Sequence, residues 1–182
     1  MATPPDFSAG AVLTAAQLDK IGLWRISTTS VGTAVSSVTV SNCFSADFDN
    51  YQIVYSGMTA SGSTTFQLKL GSTTTGYYYN LLYSIFGGAA NNGLVASNQA
   101  AFIYSGVVAP NGAGGTIDVY NPYKTMRTGV RGTYLEFVTA GAIGNFAGFL
   151  DNATSYTGFT LTPAGQTVTG GTVTVYGYNN LT

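Results

Sequence analysis

Gly171-Thr172-Val173-Thr174-Val175-Tyr176-Gly177-Tyr178 decides the fold. Val173, Val175 and Gly177 alternate with Thr172, Thr174, Tyr176 and Tyr178. Successive side chains of an extended chain point to opposite faces, so this spacing puts the valines on one side and Thr and Tyr on the other. Phe66, Leu68 and Leu70 alternate in the same way with Gln67 and Lys69, and Ile117 and Val119 with Asp118 and Tyr120. β-Branched and aromatic side chains suit such half-buried pleated surfaces.

Working outward, strands are expected over residues 24–31, 35–41, 51–57, 65–70, 101–108, 115–121, 132–138, 146–151, 157–162 and 171–178. Turn-forming clusters separate them, at Asn91-Asn92-Gly93, Asn111-Gly112-Ala113-Gly114-Gly115 and Gly170-Gly171. Many short strands with this punctuation predict an all-β, jelly-roll-like β-sandwich. Residues 80–98 read as a long loop carrying Tyr83 and Phe86. No fixed-period repeat is present.

The N-terminal segment differs. Pro4 and Pro5 disfavour regular structure before residue 12, and Phe7 is an anchor candidate. Thr14 and Gln17 have the spacing of a capping box, with Leu13 and Leu18 as its hydrophobic staple. Gly22 stands where a left-handed C-terminal cap is wanted. A helix of about two turns is marginal alone, so Leu18 and Ile21 need a surface to bury against. The chain thus divides into an arm with a short helix, residues 1–23, and a β-sandwich domain, residues 24–182.

Composition narrows the function. The 182 residues include 13 Tyr, 10 Phe and 1 Trp, yet charged residues make up only 7%. A surface so poor in Lys and Glu has little repulsion to keep copies apart, which favours burial against other subunits. Six basic residues oppose seven acidic ones, for a net charge of −1. Nucleic-acid binding needs clustered cations, and Lys124, Arg127 and Arg131 are a weak footprint, so no nucleic-acid partner is expected. Residues 1–6 lack a basic region followed by an apolar run, so no secretory leader is expected, and no apolar run is long enough to predict membrane insertion. The single Cys43 beside Phe44 reads as a core thiol, which fits assembly in a reducing cytoplasm.

Chemistry has few places to reside. The chain contains no histidine, which removes Ser-His-Asp and Cys-His nucleophile systems and the commonest zinc ligand. The glycine runs lie between strands and do not open helices, so no phosphate loop is expected. Asp118, Glu136 and Asp151 could form a carboxylate pair for glycoside hydrolysis, and Asp118 and Glu136 are expected to face out of the sheet. Scattered solvent-facing acids are the simpler reading. Asp47-Phe48-Asp49-Asn50 opens like a calcium loop but lacks the further ligands, and reads as a turn. No catalytic residue, metal or cofactor is expected. Tyr77-Tyr78-Tyr79 is the most suggestive aromatic run, because consecutive strand residues cannot all be buried on one face. At least one of the three is expected in a subunit or receptor contact, where Tyr serves well.

Phe7-Ser8-Ala9-Gly10-Ala11-Val12-Leu13-Thr14-Ala15-Ala16-Gln17-Leu18-Asp19-Lys20-Ile21-Gly22-Leu23-Trp24 resembles the N-terminal segment of many bacteriophage tail and fibre-like structural proteins, with Asp19 where Asn is usual. The closing residues Gly171 to Asn180 resemble the final strand of the same group. Phe48-Asp49-Asn50-Tyr51 and Leu70-Gly71-Ser72-Thr73-Thr74-Thr75-Gly76-Tyr77-Tyr78 are similar to it in order and character. The resemblance implies a virion component assembled in the host cytoplasm, usually homotrimeric, with the arm docked to other virion proteins and the β domain outward. It brings no catalytic residues. It assigns docking to Phe7, Leu13, Leu18, Ile21 and Trp24. A tail-fibre or tail-tip protein that contacts a host-surface glycan or protein is the leading expectation. A capsid decoration or head-fibre protein and a lectin-like carbohydrate-binding module are the alternatives.

Overall fold

The computed structural model describes residues 22–88, 90–137 and 141–178. The arm expected over residues 1–23, with its helix and with Phe7, Leu13, Leu18 and Ile21, lies almost wholly outside them. Every regular element among the described residues is a β-strand: β1 (Leu23–Ser30), β2 (Val38–Val40), β3 (Asn50–Ser56), β4 (Thr59–Ala60), β5 (Thr64–Leu70), β6 (Tyr77–Ile85), β7 (Asn91–Gln99), β8 (Phe102–Val108), β9 (Ala113–Tyr120), β10 (Thr128–Glu136), β11 (Ala142–Leu150), β12 (Phe159–Pro163), β13 (Val168–Thr169) and β14 (Thr172–Tyr178). The described residues are all-β, as the alternation predicts.

The strands form an eight-stranded sheet in the order β1-β14-β3-β9-β10-β11-β6-β7, a four-stranded sheet in the order β2-β12-β5-β8, and the short pair β13-β4. All pairings are antiparallel. One face of the large sheet carries Tyr51, Ile53, Tyr55, Ile117, Val119, Val173 and Val175, all fully buried. Phe66, Leu68, Leu70, Phe102 and Leu161 of the small sheet complete the same core. Aromatic rings meet edge to face between the layers, Tyr55 on Phe66 at 5.3 Å and Tyr77 on Phe102 at 4.9 Å.

Buried tyrosines need partners for their hydroxyls, and strand ends supply them. Tyr51 donates to the Ser45 carbonyl at 2.9 Å and accepts from the Ser45 N–H at 2.8 Å. Tyr77 accepts from the Leu70 N–H at 2.9 Å. Cys43 is buried as expected, and its thiol donates to the Val40 carbonyl at 3.7 Å.

Residues 80–98 are a correction. Instead of a loop they contribute most of the β6–β7 hairpin, in register from Tyr79 opposite Ala96 to Ser84 opposite Asn91. Leu81 faces the core while its neighbour Leu82 is exposed, so apolar residues occupy both phases of β6 and blur the alternation. The β7 sequence is rich in Asn and Gly and resembles a turn, yet backbone hydrogen bonds to β6 hold it regardless of side chain.

Strands β9, β10 and β11 begin two to four residues before their expected starts, inside glycine-bearing segments. These glycines are sockets for rings. A Cβ on Gly106 or Gly115 would strike the Tyr55 phenol, one on Gly132 the Phe146 ring, and one on Gly144 the Tyr134 ring. Glycine here permits close approach inside a sheet; Gly106 and Gly132 fall within expected strands, whereas Gly115 closes a cluster that reads as a turn.

Candidate functional site

The outer face of the large sheet faces away from the small sheet. Two cross-strand rows run over it. One passes through Tyr120, Gly129, Phe149 and Tyr78, which are successive partners on β9, β10, β11 and β6. The next passes through Gln52, Asp118, Arg131, Ala147, Asn80 and Val95, from β3 to β7. Strand parity explains both: Ile117 and Val119 turn inward, so Asp118 and Tyr120 turn outward, and Val130 inward sets Gly129 and Arg131 outward.

Asp118 organises the centre. One carboxylate oxygen accepts from the Tyr178 hydroxyl at 2.8 Å and from Gln52 Nε2 at 3.3 Å, and the other accepts from Arg131 Nε at 3.0 Å. Gln52 Nε2 also reaches the Tyr178 hydroxyl at 3.2 Å. The Asp118 side chain is only 14% exposed, whereas that of Arg131 is 67% exposed. Burial first, then the hydrogen bond to Asp118, pushes the Tyr178 phenol up to about 12, so it stays a neutral donor. The separate hydrogen bond from Arg131 to Asp118 raises the Arg131 pKa. The guanidinium also lies over Tyr120, 5.9 Å from the ring centroid.

A second arginine repeats the arrangement on the other side of Gly129. Arg127 bonds Asp151 at 2.7 Å and lies 5.3 Å from the Phe149 ring centroid, and Phe149 stacks on Tyr78 at 5.3 Å and 11°. The two arginines therefore lean apart, Arg131 toward β9 and Arg127 toward β11. Small side chains at Gly129 and Ala147 leave the floor between them open. The surface dips there into two adjoining depressions of about 480 Å³ and 500 Å³, which share Asn80 and Ala147.

Lys124 pairs with Asp49 at 2.7 Å. All three members of the basic cluster are thus matched by acids, and the local field is balanced. Asp47 accepts from the Ser45 hydroxyl at 2.9 Å, as expected of a turn. Among the described residues no three His, Cys, Asp or Glu side chains gather as a metal site would require.

The tyrosine run is split. Tyr77 and Tyr79 are buried in the protomer core, because strand alternation turns only Tyr78 outward. Trp24 stands on the edge strand β1 opposite Gly177 and is 37% exposed. The acids do not pair. Glu136 shares the inward phase of Tyr134 and bonds Ser63, so it does not face out with Asp118. Asp151 shares the outer side with Asp118 but sits four residues further along the strands, ~13 Å at ~3.3 Å per residue. Hydrolysis of a glycosidic bond uses carboxyls about 5–9.5 Å apart.

Gln52, Tyr120, Phe149 and Tyr178 are not legible as site residues in the sequence. The available signal is that each occupies the outward phase of its strand. Their convergence depends on register between strands far apart in the chain.

No protein-family model matches the sequence, and no curated protein or solved structure matches the chain. Fold and face together define the class: an all-β protein of facing antiparallel sheets, with a wide, charge-balanced outer face built round an aspartate–arginine pair.

Proposed function

We propose that the chain is a virion structural protein, a tail-fibre or tail-tip component of a bacteriophage. It docks through its N-terminal arm, assembles as a homotrimer and presents the outer face of its large sheet to the host surface. The domain is a jelly roll. Supporting that topology, β2, β5, β8 and β12 form the small sheet, and β3, β6 and β7 lie in the large one with β9–β11 between β3 and β6. The chain therefore passes between sheets as jelly-roll strands do, with one position expanded into three strands.

The observation that carries the function is the outer face itself: wide, shallow, rich in Tyr and Thr, and neutral through paired charges. Such a surface suits wet contacts repeated over many copies, where avidity multiplies weak binding. Self-association has its own support. Ile85, Phe86, Leu135 and Phe137 are exposed at one end of the large sheet. Exposed apolar clusters of this kind fit a second copy of the same chain.

Sedimentation of the purified full chain tests the assembly. Three copies per particle are expected; a monomer at every concentration overturns it. Electron cryomicroscopy of intact virions tests the placement, with density expected at the tail. Density on the capsid overturns the tail assignment in favour of decoration.

A further inference from the structure

We propose that the groove over Gly129 and Ala147 binds a neutral saccharide chain, resting on the host-contact role given above to the outer face. Arg131 uses its Nε on Asp118, lines the groove and is 67% exposed, so its five-donor guanidinium keeps N–H groups for a ligand. Asp118 accepts three hydrogen bonds, and a carboxylate has about four acceptor sites. Donor and acceptor thus stand side by side at fixed positions, the arrangement that vicinal sugar hydroxyls satisfy. Asn80 adds an amide on the opposite wall. The bare floor at Gly129 and Ala147 accepts the apolar face of a pyranose, and Tyr120 and the Tyr78–Phe149 stack bound it.

Charge selects the class. Each arginine beside the groove is already paired with an aspartate, so a carboxylated or sulfated glycan gains little attraction and competes with Asp118 and Asp151. A nucleic acid is disfavoured for the same reason. The groove is open and runs along the strand direction. Along β10 the two depressions run from Gly129 to Thr133, four residues or ~13 Å, longer than a single pyranose, so the ligand is an oligosaccharide. Because Tyr178, Gln52 and Tyr120 hold the polar groups in place beforehand, little ordering cost falls on the protein side.

The test is a glycan array of neutral and acidic oligosaccharides probed with the full-length protein, followed by titration calorimetry of the best neutral oligosaccharide. Binding is expected to change less than about twofold between low and high salt, because no net charge is exchanged. Ala147→Trp fills the floor from an outward, exposed position and is expected to weaken binding by at least about tenfold, as is Arg131→Ala. Melting curves for both variants establish that they fold. No neutral glycan bound at millimolar concentration overturns the inference. So does undiminished binding by the folded Ala147→Trp protein, or binding confined to acidic glycans and abolished by salt. Sedimentation separates this failure from that of the assembly: a trimer without glycan affinity sinks the groove alone, and a monomer with it sinks only the trimer.

Discussion

The carboxylate of Asp118 holds the guanidinium of Arg131 at 3.0 Å from the neighbouring strand, in a row where β9 and β10 place them directly opposite. Opposite charges on cross-strand partners stabilise a sheet pair, but here most of the arginine is solvated. A double-mutant cycle on Asp118→Asn and Arg131→Gln is expected to yield a coupling energy of about 0.2–1 kcal/mol that shrinks in high salt. Asp118→Ala alone is expected to cost more, about 1–3 kcal/mol, because Tyr178 and Gln52 lose their acceptor as well. Equal losses from Asp118→Ala and Arg131→Gln in urea unfolding would contradict Asp118 as the hub.

Gly132 and Gly144 lie under the rings of Phe146 and Tyr134. Alanine at either position forces a ring out of a packed layer, and about 1–3 kcal/mol of destabilisation is expected for each. Gly22→Ala, with no atom of the described residues within 4 Å of the added carbon, serves as a control and is expected to stay within about 0.5 kcal/mol. Denaturant midpoints of the three variants check the contrast.

Burial pushes the phenols of Tyr77 and Tyr134 up to about 12 from their ordinary value of 10.0, and the Cys43 thiol to about 12 from 9.0. Each group is neutral when protonated, and the folded state holds its proton to higher pH than the unfolded chain does. Their contribution is therefore complete at neutral pH and is lost as pH rises from about 9 toward 12. Chemical denaturation across that range should show stability falling with pH. Phenolate absorbance from the buried tyrosines should appear together with unfolding; its full appearance while the sheet signal persists would contradict their burial.

Cys43 is 1% exposed and its thiol is far from forming a thiolate at neutral pH. Alkylating reagents need the thiolate, so the native protein should react far more slowly than the chain in denaturant. Mass spectrometry after timed iodoacetamide exposure reads this directly. Rapid native labelling would mean that the β2 end of the core opens readily.

Phe86 and Leu135 are exposed at 55% and 41% on one end of the large sheet. Charging them, as Phe86→Glu with Leu135→Glu, should leave the melting temperature nearly unchanged because neither is in the protomer core. The same pair should shift the proposed trimer to monomer in sedimentation. An unchanged assembly state would place the subunit contact elsewhere.

Much of the architecture is legible locally. Strands β3, β5, β12 and β14 stand within two residues of where alternation or β-propensity puts them, because a period of two follows from the covalent geometry of an extended chain. Segments that break the pattern were misread for definite reasons. Leu82 is apolar and outward, Asn91 to Gly93 look like a turn and begin a strand, and Gly144 falls between expected strands yet is a socket inside β11. In the tyrosine run, parity required an outward member, and the side of the sheet that is covered chose Tyr78.

The sequence by itself determined an all-β chain with little charge, no histidine and Asp118 out of phase with its apolar neighbours. Those properties are local or compositional, and need no knowledge of what lies opposite. Only the tertiary structure decided that Tyr178, Gln52 and Arg131 meet at Asp118, from sequence separations of 60, 66 and 13 residues. Cross-strand register joins segments whose pairing is set by the shared core and by loop closure, and no spacing within a single strand records it.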